Sequence, residues 1–169
     1  CGGQYFPQFD ARKLGIDVEK ANQAGIKEFG RQVTKALLAL PPVNDPETGN
    51  SVQMGQNNTN VISLFSKQAD QDSYRIANTA APDFMGRTPG GLPTGALMAL
   101  LHNREEYAPK NTFRNMSPVG TVFSGTGKPE VLTNGTPALA TLVGTKSWLM
   151  GIHHFVIDPD DPFPNGFIL

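Results

Sequence analysis

Residues 119–143 read VGTVFSGTGKPEVLTNGTPALATLV, and this stretch decides the predicted fold. Asn134-Gly135 separates two apolar runs, which is the strongest short-range signal for a β-hairpin because this dipeptide tolerates positive φ. Pro137 follows one residue after this dipeptide and indicates an edge strand, since proline cannot donate to a strand ladder. The segment Gly125–Pro129 is rich in turn formers and predicts a second turn, so the stretch is expected to form antiparallel strands joined by short turns.

A further strand is predicted from Lys146 to Ile157, where apolar residues fall on both alternating faces. Trp148 and Ile152 would point to one side and Leu149 and Phe155 to the other, which is typical of a strand covered on both faces. Together with the preceding stretch this predicts an antiparallel meander of about four strands over residues 119–157.

The N-terminal half has helical rather than alternating periodicity. Apolar residues from Ile26 to Leu40 recur every three or four positions and predict a helix over 17–40, which Pro41-Pro42 would end. Two more helices are predicted over 61–80 and 94–107.

The second predicted helix is marked by Val61, Leu64, Phe65 and Ile76, and the third would begin at Thr94 as its N-cap. Three helices followed by strands indicate an α+β fold. The expected organisation is an N-terminal extension over 1–16, one α+β domain over 17–157 and a Pro-rich tail over 158–169.

The composition limits the classes of function. The 169 residues fit a single domain, and 14 basic against 15 acidic residues leave a net charge of −1, which excludes a basic nucleic-acid clamp. The 18 glycines and 14 prolines indicate long loops, above all over 41–60 and 82–93.

Cys1 is the only cysteine, so no intrachain disulfide is expected, and Gly2-Gly3 follow it. Three interpretations stay open: a lipid-anchored cysteine on a glycine tether, an N-terminal nucleophile whose α-amine is the base, and a mere fragment end. The tether favours the lipid anchor, because flexible glycines are poor supports for a nucleophile.

Aromatic and aliphatic residues in the non-periodic termini are typical of interface anchors. These predicted partner contacts are Tyr5, Phe6, Phe9, Phe163, Phe167 and Leu169. The sequence therefore predicts a non-enzymatic accessory or structural subunit of a cell-envelope assembly, outside the cytoplasm, bound to other subunits and held on the membrane by a lipid at Cys1. The alternatives are an N-terminal-nucleophile amidase using Cys1 and a secreted binding module.

The remaining polar motifs predict neither a metal site nor a cofactor. His153 and His154 would point to opposite faces of a strand, and Asp158–Asp161 is stiffened by prolines where a calcium loop needs a turn. Gly125–Lys128 lacks the spacing of a phosphate loop. His102–Glu106 is interpreted as a solvated helix end rather than an acid–base site.

Overall fold

The computed structural model describes residues 4–56, 61–69, 73–80 and 83–166. Within these ranges two α-helices pack on opposite faces of a mixed β-sheet. The helices are α1 (Gln23–Leu38) and α2 (Gly91–Asn103), and a 3-10 turn (Lys20–Asn22) precedes α1. The strands are β1 (Gln8–Asp10), β2 (Val43–Asn44), β3 (Ser51–Val52), β4 (Ile62–Lys67), β5 (Ser73–Ala80), β6 (Phe84–Met85), β7 (Phe113–Met116), β8 (Val122–Val131) and β9 (Pro137–Thr145).

Seven of these strands form one sheet in the order β1-β4-β5-β7-β8-β9, with β6 added to β5. The pairs β1–β4 and β5–β7 are parallel, and the other pairs in the sheet are antiparallel. Because parallel partners need a crossover, α1 lies in the connection between β1 and β4, and α2 in the one between β5 and β7. The short strands β2 and β3 form a separate hairpin.

The predicted helix over 61–80 is wrong: this stretch forms β4 and β5. Leu64 and Ala77 face the α1 side of the sheet, whereas Phe65 and Ile76 face the α2 side. A strand that is buried on both faces carries apolar residues on both, so it does not show simple alternation. The apolar marks at 61, 64 and 65 therefore imitate helical spacing.

Each helix has its own apolar cluster. The α2 cluster consists of Phe65, Tyr74, Ile76, Leu97, Met98, Leu101 and Phe113. The α1 cluster consists of Ala11, Val18, Ile26, Leu64 and Ala77. Glycines allow the helices to approach the sheet: a Cβ on Gly30 would lie 2.3 Å from Thr79 Oγ1, and one on Gly125 would lie 2.9 Å from Met98 Sδ.

The C-terminal half contains one long hairpin where a four-stranded meander was predicted. Its turn does lie at Asn134-Gly135: Leu132 N–H donates to Thr136 O at 2.9 Å, and Gly135 has φ 84°. However, β8 runs without interruption through Gly125–Pro129, because this segment pairs in full register with β9. Residues 146–157 form no strand with any described residue and are exposed throughout. The predicted α+β architecture of three helices and a meander is therefore wrong.

The two remaining helix predictions are displaced from the observed elements. The helix predicted over 17–40 is α1, from 23 to 38, and the one predicted over 94–107 is α2, which begins at Gly91. Thr94 does not cap it: Gly90, with φ 73°, is the residue before its first turn. Neither described helix has the length and apolar character that a membrane span requires. The division into extension, domain and tail stays a prediction, although β1 within 1–16 pairs with β4.

Candidate functional site

A buried chain of hydrogen bonds holds the loop that leads into α2. Ser63 Oγ donates to Asn78 Oδ1 at 2.8 Å, and Asn78 Nδ2 donates to the carbonyl of Pro89 at 2.7 Å. All three residues are buried. The Asn78 carbonyl also accepts from Gly86 N–H at 2.8 Å. The loop is therefore tied at both ends to the centre of the sheet, which fixes where α2 begins.

A second buried polar pair lies below the first turns of α2. Asn115 Nδ2 on β7 donates to Thr94 Oγ1 at 3.0 Å, and both residues are fully buried. Asn115 Oδ1 is buried and has no hydrogen-bond partner among the described residues.

The first turn of α2 presents free backbone donors. The N–H groups of Gly91 and Leu92 make no hydrogen bond with any described residue, while Thr94 N–H donates to Gly90 O at 3.1 Å. Space around Gly91 is open, because a Cβ there would meet no atom within 4 Å. Free N–H groups and the helix dipole make such an end attractive to carboxylates and other anions.

A positively charged groove borders the loop that precedes this turn. It has a volume of about 280 Å³ and is lined by Arg87, Thr88, Thr121, Val122, Phe123, Thr145, Lys146, Trp148 and Met150. Thr121 Oγ1 donates to the Arg87 carbonyl at 3.3 Å, and Lys146 Nζ lies 5.8 Å from the centre of the Trp148 ring. The groove thus combines two cations with aromatic surface.

An apolar groove borders the same turn along α2. It has a volume of about 480 Å³ and is lined by Phe6, Gly91, Leu92, Gly95, Ala96, Ala99, Leu139, Thr141 and Val143. The start of α2 therefore offers free N–H donors next to a cationic groove and an apolar one. This arrangement suits a small molecule that carries a carboxylate on an aliphatic body.

The charged residues on the α1 side are largely paired with one another. Asp83 accepts from Lys27 Nζ at 3.2 Å and from Arg31 at 2.8 Å, and the Lys27 hydrogen bond is the main reason why the pKa of Asp83 lies below its ordinary value. Arg31 also pairs with Glu28 at 2.7 Å, which lowers the pKa of that carboxyl. These ion pairs leave the α1 face less suited than the α2 face to bind an anion.

The residues that were predicted to contact a partner do not form one surface among the described residues. Tyr5 accepts a backbone hydrogen bond from Val61 at 3.3 Å, Phe6 lines the apolar groove, and Phe9 packs edge-on against Phe29 at 5.2 Å. Phe163 is exposed. Cys1, Phe167 and Leu169 lie outside the described residues. That these side chains contact a partner protein stays a prediction.

The polar motifs are also dispersed. His153 and His154 are exposed, and His153 lies near Phe155 with its ring centre at 6.3 Å. Asp158 and Asp161 accept hydrogen bonds from backbone N–H groups two residues ahead. Across the described ranges no cluster of three His, Cys, Asp or Glu side chains could hold a metal ion.

The sequence reasoning missed the polar residues that define the site. Ser63, Asn78 and Asn115 lie in strands that were predicted as helix or left unassigned. A signal was available in the run Gly86–Gly91, a glycine- and proline-rich loop that leads directly into an apolar helix.

Comparison with known proteins identifies the family. A family model described as proline racemase matches residues 1–168. The chain belongs to the proline racemase family. Among curated relatives it is 27% identical to 4-hydroxyproline 2-epimerase of Streptosporangium roseum over 169 residues, which are 99% of this chain and 49% of that protein. It is 26% identical to 4-hydroxyproline 2-epimerase 1 of Rhizobium rhizogenes, covering 99% of this chain and 47% of that one.

Solved structures of proline racemase relatives show the same fold. A probable proline racemase from Agrobacterium radiobacter, solved with bound carbonate, superposes with a TM-score of 0.76 at 25% identity, covering 98% of this chain and 47% of that one. A hydroxyproline epimerase from Agrobacterium vitis, solved with trans-4-hydroxy-L-proline, superposes with a TM-score of 0.76 at 24% identity, covering 99% and 47%. This chain thus spans about half the length of the relatives it matches.

Membership in the proline racemase family overturns the predicted function. The non-enzymatic structural subunit and its lipoprotein and secreted character are wrong, and the amidase and binding-module alternatives are not supported. The error arose because long glycine- and proline-rich segments were interpreted as contacts with other subunits. Two of them, 1–16 and 82–93, instead contain strands of the sheet or the start of α2. A location outside the cytoplasm and other subunits as partners stay predictions.

Proposed function

We propose that this chain forms one half of an amino-acid epimerase that inverts the α-carbon of proline or a hydroxylated proline. The match of residues 1–168 to the proline racemase family carries the proposal. The two curated relatives act, by their names, on 4-hydroxyproline at carbon 2, and one related structure holds trans-4-hydroxy-L-proline. A cyclic amino acid combines a carboxylate with an aliphatic ring, which are the two features that the start of α2 suits.

The N–H groups of Gly91 and Leu92 are proposed to bind the substrate carboxylate. Removing the hydrogen from the α-carbon moves negative charge onto this carboxylate in the transition state. Fixed backbone donors at a helix N-terminus stabilise such charge because they need no reorientation during the reaction. Asn78 and Asn115 would act as positioning residues, because they hold the loop before α2 and its second turn in place.

Inversion of a carbon centre also requires a proton-transfer group on each face of that carbon. Residues 87–96 read RTPGGLPTGA and contain no Asp, Glu, His, Cys, Lys or Tyr side chain, the usual general acids and bases of enzymes. We therefore assign substrate binding to the first turn of α2 and not acid–base catalysis. The proton-transfer groups of the proposed enzyme must lie elsewhere.

The test of this function is exchange of the C2 hydrogen with solvent. A chimera in which this chain replaces the matching half of the S. roseum epimerase is incubated in D₂O with L-proline or trans-4-hydroxy-L-proline. Proton NMR is expected to show loss of the C2 hydrogen signal with at least one substrate. A chimera that unfolds cooperatively yet exchanges neither substrate, while the parent enzyme does, would refute the proposal.

A matched pair of variants tests the role of the α2 N-terminus. Gly91→Pro removes one N–H donor at a helix position where proline fits, whereas Gly91→Ala keeps the donor and places a methyl group in open space. A hydrogen bond to a charged group contributes about 1.5–3 kcal/mol, so kcat/KM is expected to fall by about 10- to 100-fold in the proline variant. The alanine variant should stay near the parent; equal losses in both would contradict carboxylate binding by this N–H.

A further inference from the structure

A cavity lies between α1 and the β5–β6 hairpin, on the face of the sheet opposite to α2. It has a volume of about 230 Å³, and its lining includes Lys35 and Leu38 of α1, Thr79 of β5 and Phe84 of β6. It shares no lining residue with the two grooves at the start of α2. Pockets for drug-sized ligands measure about 300–1,000 Å³, so this cavity suits a smaller molecule.

A hydroxyl group without a hydrogen-bond partner among the described residues lies deep in the cavity. Thr79 lines the cavity and is only 5% exposed. Its Oγ1 points toward α1, because a Cβ on Gly30 would lie 2.3 Å from that atom. Buried polar side chains normally have a partner, and no described residue supplies one here. A ligand that brings a hydrogen-bonding atom to this hydroxyl would supply it.

The mouth of the cavity is apolar and partly aromatic. Phe84 is 59% exposed and Leu38 is 46% exposed, so both leave apolar surface open to a ligand. Ala80 pairs with Phe84 across the hairpin and lines the cavity beside it. A flat aromatic body suits such a surface, since contact between rings adds to the gain from burying apolar area.

One cation of the cavity has no acidic partner among the described residues. Lys27 and Arg31 also line the cavity, but both pair with Asp83, at 3.2 and 2.8 Å. Lys35 is the exception on this face, because it forms no ion pair and no hydrogen bond with any described residue. Three cations and one carboxylate therefore line a cavity in a chain whose net charge is −1. This excess of positive charge favours a ligand with a single negative charge.

The two polar groups lie at different depths along α1. Gly30 lies over the Thr79 hydroxyl, and Lys35 lies five residues farther along the helix, which corresponds to about 7.5 Å along its axis. Apolar surface lies between them. A matching ligand therefore has a polar group at each end and an apolar body between them.

We propose that this cavity is a binding site, separate from the proposed substrate site, for a small aromatic carboxylate with a hydrogen-bonding group at the end opposite its acid. The carboxylate lies at Lys35, the ring packs against Phe84 and Leu38, and the far polar group bonds to Thr79 Oγ1. The inference does not depend on the proposed reaction, because the site lies on the other face of the sheet.

Titration followed by ¹H–¹⁵N NMR tests the site, with 3-(4-hydroxyphenyl)propionate as the probe. In the 169-residue chain, the amide signals of Gly30, Lys35, Thr79 and Phe84 are expected to shift most. A Kd of about 1 mM is expected for a ligand of about twelve non-hydrogen atoms. Shifts confined to the first turn of α2, or no shifts at about 10 mM probe, would overturn the proposal.

The amide of the probe tests the role of Lys35, because it has nearly the same shape and no charge. The parent chain is expected to bind the acid about 2- to 5-fold more tightly than the amide, as for an exposed ion pair. Lys35→Met should bind both equally. Lys110→Met, at an exposed lysine that does not line the cavity, should keep the preference for the acid. A Lys35→Met chain that keeps this preference would overturn the assigned contact.

The analogue 3-phenylpropionate, which lacks the phenol hydroxyl, tests the role of Thr79. The parent chain is expected to bind the probe about 2- to 10-fold more tightly than this analogue, as for one neutral hydrogen bond. Thr79→Val keeps the shape of the side chain and should bind both ligands equally. The comparison in the parent chain needs no variant, so equal affinity of that chain for both ligands would refute the proposal whether or not the valine variant folds.

Discussion

Replacing Asn78 by alanine removes only a few atoms but should lower the free energy of unfolding substantially. Asn78 is only 4% exposed and links two buried groups, accepting from Ser63 Oγ at 2.8 Å and donating to the Pro89 carbonyl at 2.7 Å. Alanine removes both bonds at once. It leaves the Ser63 hydroxyl and the Pro89 carbonyl buried without these partners.

The magnitude follows from the two groups that lose their partner. An unsatisfied buried donor or acceptor costs about 1–3 kcal/mol, so the free energy of unfolding should fall by about 2–6 kcal/mol. In a chain of this length that corresponds to a fall in Tm of about 4–24 °C. The loss should exceed that of Ser63→Ala, which breaks only the first of the two bonds.

Urea unfolding followed by far-UV circular dichroism measures this loss. The matched control is Asn103→Ala, the same chemical change on an exposed residue at the end of α2, which should change the free energy of unfolding by less than about 0.5 kcal/mol. If Asn78→Ala and Asn103→Ala had similar effects, the reasoning that buried hydrogen bonds hold the loop before α2 would be refuted.

Three further predictions concern stability, each measured by urea unfolding. Gly30→Ala should destabilise by about 1–3 kcal/mol despite better helix propensity, because the new Cβ would lie 2.3 Å from Thr79 Oγ1; a stabilised variant would contradict this close approach. Gly135→Ala should cost about 1–2 kcal/mol, because φ is 84° there, and an unchanged midpoint would show that the turn has another conformation. The pKa of Asp45 is lowered by hydrogen bonds from the backbone N–H groups of Thr48 and Glu47, so its contribution is present above its ordinary pKa and is lost as pH falls through the lowered value. Asp45→Asn should therefore destabilise more at pH 7 than at pH 2, and an equal loss at both pH values would rule out this assignment.

Local signals located some elements but not their pairing. The period of Ile26, Phe29 and Leu37 indicated α1, and Asn134-Gly135 indicated the turn between β8 and β9. Both signals depend on a few neighbouring residues, so they survive in the tertiary structure. The ends were less well placed, because Gly90 rather than Thr94 precedes α2.

The sheet could not be predicted from the same signals. The strands β4 and β5 are buried by α1 on one face and α2 on the other, so their apolar residues do not alternate. Conversely, residues 146–157 also carry apolar residues on both faces of a predicted strand, but they pair with no described strand. In both places the pattern of apolar residues is ambiguous, because it depends on which faces of the strand are buried. Elements that are distant in the sequence determine which faces these are.

The candidate site, like the sheet, could not be predicted from local patterns in the sequence. Ser63, Asn78, Pro89 and Asn115 are far apart in the sequence and carry no motif that links them. Ser63, Asn78 and Pro89 meet, and Asn115 meets Thr94, because β4, β5 and β7 lie side by side beneath α2. Only this arrangement of strands allows the polar residues to hold the N-terminus of α2 and the loop before it.

The sequence by itself determined the near-neutral charge, the hairpin turn at Asn134-Gly135 and the apolar face of α1, because composition, turn geometry and helical period are local properties. Tertiary structure alone decided that residues 61–80 form strands, that Thr94 and Asn115 meet, and that 146–157 stays uncovered. The reason is that burial on two faces and pairing between distant strands depend on contacts that no stretch of sequence contains within itself.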